Sequence, residues 1–181
     1  MPIVIREATK ADIPDIAKIH VSGWQGAYGG IVDQDYIDSK TIEERVQFWS
    51  DVFEENEHIP YVGLIDNKIA GFVSFGPLRT PPAGTSKIRP LYSAEIYALY
   101  LYPEFFRKGL GTALIQKSVE QLMILKHRSL CLWVLKGNKR GCAFYEAMGG
   151  QRVGKKMLQM GKTNVKEVCY AWRDIGEILK R

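Results

Sequence analysis

The sequence has few cysteines, and their spacing matches no redox or metal motif. The three, Cys131, Cys142 and Cys169, are odd in number and form no CxxC pair. A disulfide framework of the kind found in small secreted domains is therefore not indicated. None of the cysteines has the surroundings of a nucleophile, so we expect reduced core residues in a cytoplasmic protein.

Long apolar runs are also missing. No stretch approaches the ~20 apolar residues that a membrane-spanning helix needs, and the start, MPIVIREATKAD, turns polar too early for a secretory signal. The composition, 46% hydrophobic and 25% charged over 181 residues, is typical of a soluble globular protein. We therefore expect no membrane partner and a single domain over residues 1–181.

Histidine is scarce, and acidic residues are unevenly distributed. His20, His58 and His127 share no metal-ligand spacing, so no metal is expected. Residues 1–90 carry 9 Lys and Arg against 13 Asp and Glu, whereas residues 91–181 carry 16 against 7. The basic half predicts an anionic partner. A phosphorylated cofactor fits better than nucleic acid, because the cations lie in patterned segments rather than in a basic tail or an RNP-type motif.

Hydrophobic periodicity and turn residues predict the order β-α-α-β-β-β-α-β-α-β-β. Strands are expected near residues 2–6, 61–65, 69–76, 93–102 and 129–135, with two more after residue 150; helices are expected at 9–24, from Thr41 onward, at 109–127 and at 138–148. The proline-containing segment 77–90 is expected to be a loop. The fold class is α/β (α+β), a mixed sheet with helices on both faces.

The segment YPEFFRKGLGTALIQ, residues 102–116, joins a predicted strand to a predicted helix. The first amides of a helix have no intrahelical partner, and the helix dipole adds positive charge to them. Gly109 and Gly111 lack the β-carbons that would keep a diphosphate away, while Arg107 and Lys108 add full charges. The glycines could instead serve close helix–sheet packing alone. A dinucleotide-binding GxGxxG and a P-loop are both excluded by the spacing.

These residues resemble the GNAT superfamily of N-acetyltransferases. FRKGLG, residues 106–111, is similar to the family's [Q/R]-x-x-G-x-[G/A], with Phe106 where Gln or Arg is usual. EIYALYLYPEF upstream and LWVLKGNKRGCAFYEAMGG downstream are similar to the family's strand four, strand five and N-x-x-A-x-x-F-Y-x-x-x-G helix. Gly141 replaces the Ala of that helix, and Gly150 replaces the Phe that usually follows its last Gly.

The resemblance implies a mixed, mostly antiparallel GNAT-type sheet in which strands four and five splay apart. The pantetheine arm of acetyl-CoA would lie between them and pair with main-chain groups of Leu99, Tyr100 and Leu101. A strand-four amide would stabilise the oxyanion of the attacked thioester. The diphosphate would bind at the junction, to Arg107, Lys108, Gly109, Leu110, Gly111 and Thr112.

The resemblance also implies a proton donor. Tyr145 occupies the family's tyrosine position, where its phenol would protonate the departing thiolate of coenzyme A; a helix aromatic packed in the core is the alternative. Asn138 is expected to cap the helix and to reach the pantetheine or the phosphates, although capping alone is equally compatible with the residue.

Glu95 is the candidate general base for the attacking amine. Strand alternation places it on one face with Tyr97, Leu99 and Leu101, and an exposed glutamate at a strand end is the alternative. Trp24 and Tyr28, four residues apart, would line the acceptor pocket or pack in the core.

The predicted activity is transfer of an acetyl group from acetyl-CoA to a primary amine by direct attack. The acidic N-terminal half is consistent with a cationic acceptor. The acceptor could be a small amine or a peptide or protein amine at an N-terminus or lysine, and the 77–90 loop is a candidate determinant of the choice. A non-catalytic acyl-CoA-binding regulatory module is the other class. The sequence leaves open whether the chain forms a homodimer.

Overall fold

A computed structural model describes residues 2–56, 58–82 and 91–181. Within them the strands are β1 (Ile3–Glu7), β2 (Ile59–Ile65), β3 (Lys68–Pro77), β4 (Ala94–Leu101), β5 (Leu130–Leu135), β6 (Gln151–Met160) and β7 (Thr163–Trp172). The α-helices are α1 (Ile13–Tyr28), α2 (Gln34–Asp38), α3 (Ile42–Glu55), α4 (Leu110–Ile124) and α5 (Lys139–Ala147). Most of the predicted loop at 77–90 lies outside the described residues.

The strands form one seven-stranded sheet in the order β1-β2-β3-β4-β5-β7-β6. Neighbouring strands are antiparallel except for β4 and β5, which are parallel. A parallel pair needs a crossover connection, and α4 provides it. The predicted mixed, mostly antiparallel sheet is therefore confirmed.

Local sequence signals set most helix starts. The Thr41 hydroxyl accepts a hydrogen bond from the Glu44 amide, at 3.1 Å, and so caps α3. Thr9 and Asp12 form a capping box that opens a 3-10 turn, so α1 begins at Ile13 and not near the predicted residue 9. Helix α2 was not predicted, because five residues are too few to show a hydrophobic period.

Helices cover both faces of the sheet, as predicted. Helix α4 buries Leu110, Leu114 and Leu122 completely against one face. Helices α1 and α3 pack on the other face, where Ile16 and Trp49 are almost fully buried. No helix among the described residues is long and apolar enough to cross a membrane.

Strand β4 contains a β-bulge that the sequence did not reveal. Ser74 of β3 is paired with Ala98, and Phe75 with Ile96, so Tyr97 is the extra residue of the bulge in β4. An extra residue of this kind reverses the alternation of side chains beyond it.

The bulge corrects one prediction about Glu95. Ile96 packs on the α4 face together with Leu99 and Leu101, which lie beyond the bulge. Since neighbours in a strand point to opposite faces, Glu95 faces the α1 and α3 side, opposite to Leu99 and Leu101. The predicted common face was wrong because it assumed unbroken alternation.

Candidate active site

Strands β4 and β5 separate soon after they meet. Their pairing covers three positions, Ala94 with Leu130, Glu95 with Cys131 and Ile96 with Leu132. Beyond these, β4 continues to residue 101 and β5 to residue 135 without pairing to each other. A cavity of about 340 Å³ opens between them and extends toward α1 and β6. The predicted splay of the fourth and fifth strands is confirmed.

Helix α4 begins beside the open end of this cleft. Gly109 precedes the helix with φ +83°, and its carbonyl accepts the first intrahelical hydrogen bond, from the Ala113 amide at 3.0 Å. The amides of Leu110, Gly111 and Thr112 therefore have no main-chain acceptor among the described residues. They form a group of donors at the positive end of the helix dipole.

The two glycines at the start of α4 differ in backbone conformation and in what surrounds their β-carbon positions. A β-carbon on Gly109 would meet only Ile3, at 3.7 Å, but its positive φ is strained for any other residue. A β-carbon on Gly111 would contact Phe144 of α5 at 3.4 Å and not the exposed end of the helix. The open side of Gly111 thus faces α5, and its role in diphosphate binding stays a prediction.

Three cations belong to this junction through their place in the sequence or their contact with Phe106. Arg107 (φ +61°) and Lys108 are exposed. Arg140, in the first turn of α5, stacks on the Phe106 ring at 4.4 Å. None of the three forms an ion pair with a carboxylate in residues 2–56, 58–82 or 91–181. Arg140 was not predicted from the sequence. The feature that could have indicated it is the aromatic residue at position 106, because an aromatic ring offers a face on which a cation can stack.

The main-chain groups of β4 divide between the cleft and β3. The amide of Tyr102, which follows β4, donates to the carbonyl of Ala70 in β3, at 3.0 Å. Because main-chain groups alternate in direction along a strand, those of Tyr100 also face β3, while those of Leu99 and Leu101 face the cleft. Of the three residues predicted to pair with pantetheine, Tyr100 is therefore turned away.

Tyr145 lines the cavity from α5 and packs against Phe144 at a ring distance of 5.3 Å. Burial raises the pKa of its hydroxyl above the ordinary value, and neighbouring Tyr28 adds to the shift, so the phenol is protonated at neutral pH. Asn138 also lines the cavity. Its side-chain oxygen accepts the Gly141 amide at 2.9 Å, so its predicted capping role is confirmed.

Glu95 is 5% exposed and lines the cavity near the point where the strands separate. Its Oε2 accepts two amides, from Arg79 at 2.9 Å and from Thr80 at 2.7 Å. The Thr80 carbonyl in turn accepts the indole N–H of Trp133 at 2.8 Å. Glu95 thus fixes the segment that follows β3, and it is not the exposed strand-end residue that was the alternative.

Aromatic residues form another part of the cavity wall. Trp24 and Tyr28 contribute to it from α1, with ring centroids 4.9 Å apart. The Tyr28 hydroxyl lies 2.9 Å from that of Tyr100, and His20 stacks on the Tyr100 ring at 5.0 Å. Burial, aided by the charge of Arg45, lowers the pKa of His20 to about 3, so this ring is neutral.

Four further cavity residues were not predicted from the sequence. Arg79, His58, Lys156 and Glu167 also line it. They come from the loop after β3, from the residue before β2, and from β6 and β7. No local motif links such distant positions, so only the folded chain brings them together.

The family model described as "Acetyltransferase (GNAT) family" matches residues 24–149. The chain is 33% identical over 178 residues to "Uncharacterized N-acetyltransferase YuaI" of Bacillus subtilis, covering 97% of this chain and 96% of that relative. It is 26% identical over 155 residues to a spermidine N(1)-acetyltransferase of Thermoplasma acidophilum, covering 82% and 88% of the two chains.

A solved structure shows the same fold. PaiA N-acetyltransferase from Thermoplasma acidophilum, in complex with coenzyme A, superposes with a TM-score of 0.68 at 20% identity. The match covers 92% of this chain and 98% of that one. Together with the sequence matches it confirms the predicted enzyme class. The chain belongs to the GNAT family of acetyltransferases.

Proposed function

We propose that this acetyltransferase uses acetyl-CoA to acetylate a primary amine by direct attack. The observation that carries the proposal is the cleft between β4 and β5. Unpaired helix amides lie at one end of it, and the hydroxyl of Tyr145 and the carboxylate of Glu95 lie along its wall. Such a cleft suits a long substrate with an anionic tail and a reactive head.

The diphosphate of acetyl-CoA is assigned to the start of α4. The amides of Leu110, Gly111 and Thr112 donate to its oxygens, and Arg107 and Lys108 supply charge. Arg140 adds the side-chain contact that Phe106 cannot make, since its guanidinium stacks on the Phe106 ring, which lies just before the start of α4. Asn138 stands where the chain of the cofactor passes into the cavity.

The pantetheine arm is assigned to the free edge of β4. There the main-chain groups of Leu99 and Leu101 can pair with its amides as another strand would. The Leu99 amide is the candidate donor to the thioester carbonyl, where negative charge develops during attack.

The chemistry needs no covalent enzyme intermediate. The amine nitrogen forms a bond to the acetyl carbon, the carbon–sulfur bond breaks, and its electron pair leaves on sulfur. Tyr145 donates its proton to that sulfur, and the amine gives up a proton to Glu95, directly or through water. Glu95 keeps Oε1 for this role because Oε2 binds the two loop amides.

The cellular setting stays a prediction. Cys131, Cys142 and Cys169 are buried and unpaired, which fits a reducing cytoplasm. A homodimer also stays a prediction.

The test is release of coenzyme A thiol from acetyl-CoA over a panel of small amines and short peptides, with calorimetry of coenzyme A binding. Turnover with an amine, dependent on enzyme, supports the proposal. Arg107→Ala and Arg140→Ala should each weaken coenzyme A binding and its salt dependence. Binding without turnover of any amine or peptide would favour a non-catalytic acyl-CoA-binding module, and acetylation of peptides alone would move the acceptor to protein amines.

A further inference from the structure

We propose that the acceptor is a small amine that also carries a carboxylate, of the amino acid type with an apolar side chain, and that Arg79 binds this carboxylate. The inference rests on the proposed acetyl transfer to an amine. It adds the chemical class of the acceptor, which the predicted activity leaves undefined.

The Arg79 side chain is held at the cavity by contacts with neutral groups. Its guanidinium lies 3.5 Å from the ring centroid of Tyr97, and its Nη1 lies 2.6 Å from Nε2 of His58. Its own backbone amide is fixed by Glu95. No carboxylate among the described residues lies within ion-pair distance of it.

His58 serves as a neutral support for this arginine. Burial, with a further contribution from the charge of Arg79, lowers the pKa of His58 to about 4. At neutral pH its Nε2 can therefore accept from the guanidinium. The Tyr97 hydroxyl donates to the Pro77 carbonyl, which holds the stacked ring in place. A guanidinium positioned in this way retains further N–H donors for a bidentate carboxylate.

Each carboxylate in the described lining already has partners on one of its oxygens. Glu95 accepts the amides of Arg79 and Thr80, and Glu167 pairs with Lys156 at 3.2 Å. Lys156 also lies 4.3 Å from the ring centroid of Trp133. A second ammonium group of a polyamine would therefore meet cations and engaged acids in the described lining, whereas a carboxylate would meet Arg79.

The remaining wall is aromatic and uncharged, and it suits a hydrocarbon or aromatic side chain. It is formed by His20, Trp24, Phe48, Trp49 and Tyr100. With a neutral His20, this wall has no charge to attract a second polar group. One small molecule would match this lining if its amine met Glu95, its carboxylate met Arg79 and its apolar side chain met the aromatic wall.

This local arrangement opposes the expectation of a cationic acceptor that was based on the acidic N-terminal half. The charge of a half-chain counts residues over the whole surface, while recognition depends on the few groups that face the ligand. It also differs from the acceptor of the Thermoplasma spermidine relative, which is 26% identical.

The experiment compares acceptors that differ in the carboxylate alone. L-phenylalanine is paired with L-phenylalaninamide, L-tryptophan with tryptamine, and spermidine is included as a polyamine. The amide has the lower amine pKa and therefore the larger fraction of neutral amine at a given pH, so a preference for the acid cannot come from a larger supply of neutral amine. We expect kcat/KM to be about 10- to 100-fold higher for the acid, as a charged hydrogen-bonded pair provides.

Arg79→Gln should abolish the preference by lowering kcat/KM for the acid far more than for the amide. Arg79→Lys should restore part of it, because a lysine keeps the charge without the planar fork. Arg173→Gln is the control, since it removes one exposed positive charge elsewhere. Coenzyme A affinity should be unchanged in all three variants.

A preference for spermidine or tryptamine that Arg79→Gln does not alter would overturn the inference while leaving amine acetylation intact. Coenzyme A binding with no acetylation of any of these amines would also overturn it. Failure of coenzyme A to bind is a separate result, which would reject the proposed function itself.

Discussion

At the scale of single residues, Tyr145 offers the most direct test of the chemistry. Tyr145→Phe keeps the ring and its packing against Phe144. It removes the hydroxyl that we propose as the proton donor to the leaving sulfur. We expect kcat to fall about 100-fold, a typical contribution of general acid catalysis. The dissociation constant of acetyl-CoA should barely change. Single-turnover kinetics with a good acceptor measure the effect without interference from product release.

Tyr61→Phe is the matched control for this substitution. Tyr61 is a buried tyrosine of the same core cluster, but it does not line the cavity. Its loss of a hydroxyl should leave turnover unchanged. If Tyr145→Phe also turns over at the wild-type rate, another group protonates coenzyme A.

Glu95 has two roles that one pair of substitutions can separate. Glu95→Gln keeps a side-chain oxygen for the amides of Arg79 and Thr80 but removes the basic group. Its turnover should drop near neutral pH, and the deficit should shrink as pH rises, because more of the amine is then already neutral. Glu95→Ala loses the loop anchor as well and should be worse at every pH. A pH-independent deficit in Glu95→Gln would assign the residue to acceptor binding or loop support.

At the scale of elements, the start of α4 is predicted to determine cofactor affinity. Gly109→Ala forces a β-carbon onto a backbone at φ +83° and should shift the turn that presents the helix amides. We expect the coenzyme A dissociation constant to rise about tenfold or more by calorimetry. Gly111→Ala should matter less, because its methyl group would contact Phe144 at ordinary distance.

Gly30→Ala is the control for backbone strain. Gly30 has φ +76° and nothing within 4 Å of its β-carbon position, so it imposes a similar conformational cost away from α4. Equal loss of stability in the two variants, with weaker coenzyme A binding in Gly109→Ala alone, is the expected pattern. Equal coenzyme A binding in both would place the phosphates elsewhere.

The contribution of the β1–α1 junction to the stability of the fold should depend on pH. Asp12 forms a bidentate pair with Arg6, at 2.7 and 2.8 Å, and also accepts the Thr9 amide. The hydrogen bonds from Arg6, with help from Thr9, lower the pKa of Asp12 to about 2. A carboxyl with a lowered folded-state pKa stabilises the protein above its unfolded pKa, and that stability is lost as pH falls from about 4 toward about 2.

Asp12→Asn should therefore lower the free energy of unfolding by about 1–2 kcal/mol near pH 7, an effect limited by the exposure of Arg6. Near pH 3 the loss of stability should be smaller, because Asp12 is then partly protonated in the unfolded chain. Urea unfolding at both pH values measures this difference. Asp15→Asn is the control, since its pair with Lys18 is exposed and should contribute almost nothing. A constant deficit across this range would mean that Asp12 acts through packing and not through its charge.

At the scale of the whole molecule, cofactor binding should stabilise the fold, because the cleft joins β4, β5, α4 and α5. Coenzyme A at about 100 times its dissociation constant should add about 2.7 kcal/mol. For a chain of this size that corresponds to a melting temperature higher by about 5–10 °C. Thermal unfolding with and without coenzyme A checks it, and Gly109→Ala should show a smaller rise at the same concentration. An unchanged melting temperature in the wild type would argue against binding in this cleft.

Some site residues could be found from local patterns because their roles depend on neighbours in sequence. Asn138 caps the helix that follows it, and Gly109 precedes a helix whose first amides are unpaired wherever it packs. Arg79 and Lys156 could not be found in this way. They are 77 positions apart in a chain of 181 residues, and no period or motif relates the loop after β3 to strand β6.

By itself the sequence determined the order of most elements, the mixed sheet, the strand–helix junction and the family. These follow from hydrophobic periods, caps and a contiguous motif, all of which act over a few residues. Only the tertiary structure decided which way Glu95 points, since the bulge at Tyr97 depends on pairing with β3. It also decided that Arg140 joins the junction and that Arg79 faces the cavity without a carboxylate partner among the described residues. Contacts of this kind depend on packing between distant segments, which local patterns do not encode.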